Sequence, residues 1–265
     1  MKIYISADME GITGTTHWDE VDKKSPDFEE FQEQTTAEVA AACEGALKAG
    51  AKEIWVKDAH ATARNIIASK LPKEVRLIRG WSEHPFSMVQ DLDETFDATL
   101  MIGYHSSAGS GDNPLAHTIT GKVAHIKINE VYASEFLLHT YAAALCNVPA
   151  VFVSGDDGLC EEAKSLIPHI VTVAVKHGKG DSTINIHPQL AVEKIQEGVQ
   201  RALEGDVSKC MVQMPEHFSV EIKYKDHSKA YRSSFFPGAN LQDPHTIHFE
   251  SDDYFEVLRL LAFVV

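Results

Sequence analysis

Five side chains with metal-binding chemistry stand where strands end or a helix begins: Asp8, Glu10, His60, His105 and Glu135. Asp8 and Glu10 follow Lys2 to Ala7, where Ile3, Ile5 and Ala7 alternate with Tyr4 and Ser6 at strand period. Residues two apart on extended backbone point to one face, so these carboxylates converge if the strand continues to Glu10. Two anions there need a cation. Gly11 and Gly14 break the pattern and place the pair at the C-terminal edge of a strand, where open α/β sheets keep their sites. Glu53 to Asp58 reads as a second strand ending in an acid, followed at once by Ala59 and His60. Asp97 to Gly103 is an apolar run of the buried parallel kind that delivers Tyr104 and His105. Ser134 is a helix N-cap that sets Glu135 at the positive end of the macrodipole.

Two imidazoles and three carboxylates suit zinc better than manganese or cobalt. Five protein ligands exceed the three usual for one catalytic zinc and suit two ions, roughly 3.5–4 Å apart, sharing a bridging carboxylate. Each member also has a bland role open to it. Asp8 and Glu10 can be solvated turn residues, His60 and His105 structural histidines, and Glu135 a residue that only favours its helix start. Asp58, Asp156 and Asp157 sit at strand ends too, as ligands or as acids that orient the histidines.

The elements that position these residues alternate between strand and helix. Ser25-Pro26-Asp27 opens a helix over residues 26–49, closed by Gly50, and helices follow from Glu135 and near Leu159 to Leu166. Strands are expected over 75–78, 122–128, 149–154 and 171–176. The alternation predicts an α/β fold, a doubly wound, mainly parallel sheet with helices on both faces. A helix over 187–203 turns Leu190, Ile195, Val199 and Leu203 inward. Beyond it the style changes, with half-exposed strands at 219–224 and 246–250 and a last helix over 252–263. A soft boundary near residue 206 separates a catalytic metal-binding domain, 1–206, from a small C-terminal α/β portion, 207–265.

Composition narrows the partners. Asp plus Glu number 39 against 24 Lys plus Arg, a formal net charge of -15 that repels phosphate backbones and anionic lipid. Nucleic acid and membrane are therefore not expected partners. Cys43, Cys146, Cys160 and Cys210 lack the close spacing of a zinc knuckle, and no apolar run is long enough for a membrane span. A cytoplasmic protein with reduced thiols is expected.

Asp8-Met-Glu-Gly11, Asp58-Ala-His60, Phe86-Ser-Met-Val89, Gly103-Tyr-His105, the His117 after a Ser/Gly-rich loop, Ile128-Asn129, Glu135 and Gly155-Asp-Asp157 form an ordered set. Together they resemble the D-aminopeptidase family of the dipeptide-transport operon, a class of dizinc peptidases. The resemblance implies removal of N-terminal residues from short peptides or amino acid amides, with D-residues as the associated substrates. It places Asp8 as the bridging carboxylate of two zinc ions per subunit, Glu10 and His60 on one ion, His105 and Glu135 on the other, and His117 as the catalytic histidine. It also implies a homo-oligomer, a homodecamer of two stacked pentamers. Asn129, Asp156 and Asp157 are candidates for binding substrate, the two acids through its free amine. Two rivals remain: another dinuclear hydrolase such as a phosphoesterase, and a non-enzymatic α/β binding module. No Arg/Lys cluster or phosphate cradle adjoins the ligands, which weighs against the first.

Overall fold

β1 (Lys2–Ala7) is buried from Ile3 onward. Its alternation sorts Ile3, Ile5 and Ala7 from Tyr4 and Ser6, yet both sets are buried because both faces of the sheet are covered. Tyr4 Oη donates to the Gln90 carbonyl at 2.6 Å and Ser6 Oγ to that of Met88 at 2.7 Å, so the polar set lies under a 3-10 turn, Ser87–Val89.

The computed structural model describes residues 1–265. After β1 come α1 (Phe28–Lys48), β2 (Glu53–Asp58), β3 (Val75–Ile78) and β4 (Ala98–Tyr104). β5 (Val123–Ile128), β6 (Val131–Tyr132), α2 (Glu135–Leu145), β7 (Ala150–Asp156) and α3 (Asp157–Leu166) follow. Next are β8 (Val171–Lys179), β9 (Ser182–Asn185) and α4 (Pro188–Glu204). The chain closes with β10 (Phe218–Tyr224), α5 (His227–Ser233), β11 (Asn240–Asp243), β12 (Thr246–Ser251) and α6 (Tyr254–Val264).

The main sheet has the order β3-β2-β1-β4-β7-β8-β9, parallel except for β9. α1 packs on α4 over one face, and α2 and α3 cover the other, which is the doubly wound α/β architecture expected. Strand order reverses between β1 and β4, so their C-terminal ends flank the switch point where such sheets hold ligands.

The second sheet, β11-β12-β10-β5-β6, is antiparallel. It takes strands from both sides of residue 206, with Ile126 of β5 opposite Ile222 of β10. α6 joins this sheet to the first, and Tyr254 Oη donates to the Leu138 carbonyl of α2 at 2.8 Å. One continuous core of 64 buried residues includes Ile5 and Val153 as well as Val220 and Ile247, so the last portion of the chain has no separate core.

Several local details differ from expectation. α1 starts at Phe28 rather than Pro26, because Ser25 Oγ accepts from the Asp27 amide and holds a preceding turn. Its end matches, with Gly50 at φ +90. Leu190 of α4 is exposed, while Ile195, Val199 and Leu203 face the core. β6, β9, β11 and α5 are too short to carry a periodicity signal.

Candidate metal centre

Parallel register sets Ala7 beside both Asp58 and Ile102, so the chain leaves β1, β2 and β4 at one level. Asp8, His60 and His105 emerge there side by side. Backbone bonds lock the three exits: the Asp8 amide donates to Ile102, Ala59 to Ala7 and Gly11 to Gly103, each at 2.8 Å. Past Asp8 the backbone turns instead of remaining extended, and this turn brings Glu10 alongside. Gly11 crosses the end of β4 so closely that a Cβ would lie 1.7 Å from the Tyr104 carbonyl oxygen. Gly103 has φ +68, and its Cβ would lie 2.4 Å from the Asp8 carbonyl oxygen. Both positions need glycine.

Asp8 occupies the middle of the cluster. Its Oδ1 lies 3.2 Å from His60 Nδ1 and its Oδ2 3.5 Å from His105 Nε2. Glu10 Oε2 is 2.9 Å from the same nitrogen of His60, and Glu135 Oε2 is 3.5 Å from His105 Nε2. The second nitrogen of each ring sets its orientation. His60 Nε2 donates to the Val21 carbonyl at 2.8 Å and His105 Nδ1 to that of Ser106 at 2.9 Å. In a neutral ring the lone pairs of His60 Nδ1 and His105 Nε2 then face carboxylates, and acceptors face acceptors. His105 Nε2 is buried with no hydrogen-bond partner. A divalent cation resolves this arrangement, and the hard-to-borderline donor set fits zinc.

With protein groups alone, the imidazoles must carry the positive charge. Burial and the neighbouring Glu10 carboxylate push Asp8 well above the usual range. Burial opposes the charged form of His105, but Glu135 and Asp8 raise it to about 10. Burial likewise opposes an ionised Glu135, yet the His105 ring brings it down to about 2. Three carboxylates no more than 3% exposed form a built anionic site.

His117 lies over this cluster. Its ring stacks on His105 with centroids 4.5 Å apart, its Nε2 is 3.7 Å from Glu135 Oε1, and its Nδ1 donates to the Leu115 carbonyl at 2.9 Å. Ile119, two residues on, holds φ +63, a left-handed conformation strained for a β-branched residue. Its amide donates to Glu135 Oε1 at 2.7 Å, and Thr118 Oγ1 anchors the turn on the Ala133 carbonyl. Glu135 itself begins α2, where Ser134 Oγ caps the Leu137 amide.

The remaining candidates stand elsewhere. Asp156 caps α3, accepting from the Leu159 amide, and also accepts from the Ser106 amide at 2.9 Å and Asn113 Nδ2 at 3.0 Å. It thus fixes the segment whose Ser106 carbonyl aims His105. Asp157 pairs with His177 Nδ1 at the surface, at 2.8 Å. Asn129 holds the β5–β6 turn, accepting from the Ser219 amide and donating to the His217 carbonyl. None of these three lines the cavity above the cluster, because their side chains are committed to neighbouring backbone or surface partners. Asp58 accepts from the Asn65 and Ile66 amides, and Asn65 Nδ2 donates to the His60 carbonyl, so it braces the turn that carries His60.

The family model for the M55 peptidases, described as D-aminopeptidase, matches residues 1–263. The chain belongs to the M55 D-aminopeptidase family. It is 31% identical over 263 residues to the D-aminopeptidase of Bacillus subtilis (strain 168), covering 98% of this chain and 95% of that protein. Its fold is similar to the solved structure of the Zn-dependent D-aminopeptidase DppA from Bacillus subtilis, a self-compartmentalizing protease. The TM-score is 0.90 at 30% identity, over 98% of this chain and 95% of that one.

In this M55 family member the cavity measures about 530 Å³. Its floor is Asp8, Glu10, His60, His117 and Glu135; its walls include Trp81, Met88, Leu138, His139, Leu258 and Leu261. Sequence reasoning singled out Met88 only within the Phe86-Ser-Met-Val89 motif and gave no role to any residue of the wall. For His139 a signal existed, since four residues after Glu135 on a helix is the same face. The α6 residues gave none, because their place at the site follows from packing between distant segments.

Proposed function

We propose that this M55 family member is a zinc-dependent aminopeptidase. It hydrolyses the N-terminal amide bond of short peptides or amino acid amides, selective for D-residues, with two zinc ions per subunit. The observation that carries the reading is the convergence of five buried donors in which two oriented imidazole nitrogens face only carboxylates. Asp8 lies between the two histidines and would be the carboxylate shared by the two ions; Glu10 with His60, and Glu135 with His105, would hold one ion each. Bound zinc supplies Lewis acidity for a water molecule and for the scissile carbonyl.

The chain's own residues supply the rest. His117 Nδ1–H is tied to the Leu115 carbonyl, so Nε2 faces the reaction. As an imidazolium it donates from Nε2 to the developing oxyanion; as a neutral ring it takes up a proton there. The stacked His105 ring and the strained turn at Ile119 hold it in place. Glu10, Glu83 and Glu135 line the cavity, which has no Lys or Arg in its lining. Glu83 is thus the one lining carboxylate outside the ligand set, open to a substrate ammonium, and no protein cation is present to meet a phosphate ester. The DppA relative supports a homo-oligomer, which we take to be a homodecamer of two stacked pentamers, working in the cytoplasm. No helix is long and apolar enough to cross a membrane.

The test is metal content together with hydrolysis of D- and L-alanyl anilides and of a phosphate ester. Nearly two zinc per chain, D-selective amide turnover, and a His117→Ala variant that keeps its metal but loses about 10²–10³ in rate are expected. Phosphate ester turnover without amide turnover would move the assignment to a phosphoesterase.

A further inference from the structure

We propose that His139 binds substrate directly, accepting a hydrogen bond from an amide N–H on its Nε2; this rests on the aminopeptidase reading above. His139 lies on α2 one turn beyond Glu135, is 1% exposed, and lines the cavity. Its Nδ1 is 2.7 Å from the Glu135 backbone oxygen. A carbonyl only accepts, so Nδ1 carries the proton, and in the neutral ring Nε2 is an acceptor. No protein group pairs with that nitrogen. His60, His105 and His117 differ, since each turns its free nitrogen toward Asp8, Glu10 or Glu135. His139 turns its free nitrogen to none of them and stands outside the ligand cluster.

The nitrogen opens on the cavity, where a donor brought by the ligand can take the place of water. The charge of the acceptor selects which donor. The Glu83 carboxylate suits an ammonium, whereas an uncharged imidazole suits the uncharged N–H of an amide. Leu138, Leu258 and Leu261 line the same cavity and give it an apolar wall.

Two substitutions separate substrate binding from a structural role. Asn places an amide nitrogen where Nδ1 lies, two bonds beyond Cβ, and keeps the link to the Glu135 carbonyl while losing the acceptor. Gln reaches the Nε2 position, three bonds beyond Cβ, and keeps the acceptor while losing the link. His139→Asn is expected to raise KM for a D-alanyl anilide roughly tenfold, with kcat, zinc content and Tm kept. His139→Gln is expected to hold KM within roughly twofold. The reverse pattern, equal increases in both variants, or an unchanged KM in His139→Asn would overturn the proposal. A wild type that holds zinc but turns over no aminoacyl substrate would overturn the aminopeptidase reading and this inference with it. Wild-type turnover with an unaltered Asn variant would overturn this inference alone.

Discussion

Gly11→Ala tests whether the close approach of two chain segments builds the metal centre. A Cβ at residue 11 would lie 1.7 Å from the Tyr104 carbonyl oxygen, 2.4 Å from its carbon and 2.6 Å from the Gly103 oxygen, where ordinary contact begins near 3.4 Å. All three are backbone atoms at the end of β4, so no side-chain rotation relieves the clash. Overpacking that side chains can absorb costs about 1–3 kcal/mol, and a clash against backbone stands at or above the top of that range. For a chain of this size about 3 kcal/mol corresponds to a Tm lowered by roughly 6–12 °C. The Gly11 amide must also leave the Gly103 carbonyl, which moves Asp8 and Glu10 relative to His105. A misplacement of about 1 Å costs on the order of 10²-fold in rate. Thermal unfolding, zinc content and anilide hydrolysis should all fall together. Gly111→Ala is the control, because its Cβ meets nothing within 4 Å. A Gly11→Ala protein with wild-type Tm, metal and turnover would refute the close-approach argument.

Chelation should lower the unfolding midpoint, because the ions bind only the folded cluster; at free zinc about 100 times the dissociation constant the loss is about 2.7 kcal/mol, read by calorimetry with and without chelator. Burial raises Glu38 to about 7 from an ordinary 4.5, so the folded state binds its proton more tightly than the unfolded one. That contribution is complete below about pH 4.5 and is lost as pH rises through about 7, roughly 3 kcal/mol in all, and Glu38→Gln should flatten the denaturant midpoint between about pH 5 and pH 8.5. Asp156→Ala strands the Ser106 and Leu159 amides and Asn113 Nδ2, and should cost on the order of 3 kcal/mol and lower activity through His105, measured by urea unfolding beside kcat. Asp157→Asn, whose partner is the surface His177, should leave KM unchanged and stability within about 0.5 kcal/mol; a raised KM would return Asp157 to the substrate site.

What could be read from the chain alone was local. Side-chain period marks a strand over its own few residues, so β1, β2 and β4 and the acids and histidines that follow them were legible, as was the Ser134 cap that presents Glu135. The strand-end rule then places Asp8, His60 and His105 on one rim. It could not separate Asp156 from them, since a strand-end acid that caps the next helix has the same sequence context as one that faces a cavity. Tertiary structure decided that, together with the pairing of β5 with β10 and the arrival of Leu258 and Leu261 at the cavity that His139 also lines. These contacts join segments far apart in sequence, and their energy comes from apolar area buried between them, which leaves no periodic trace in either segment. The orientation of His60 and His105 belongs to the same class, because the carbonyls of Val21 and Ser106 choose the free nitrogen only once the loops have closed around the cluster.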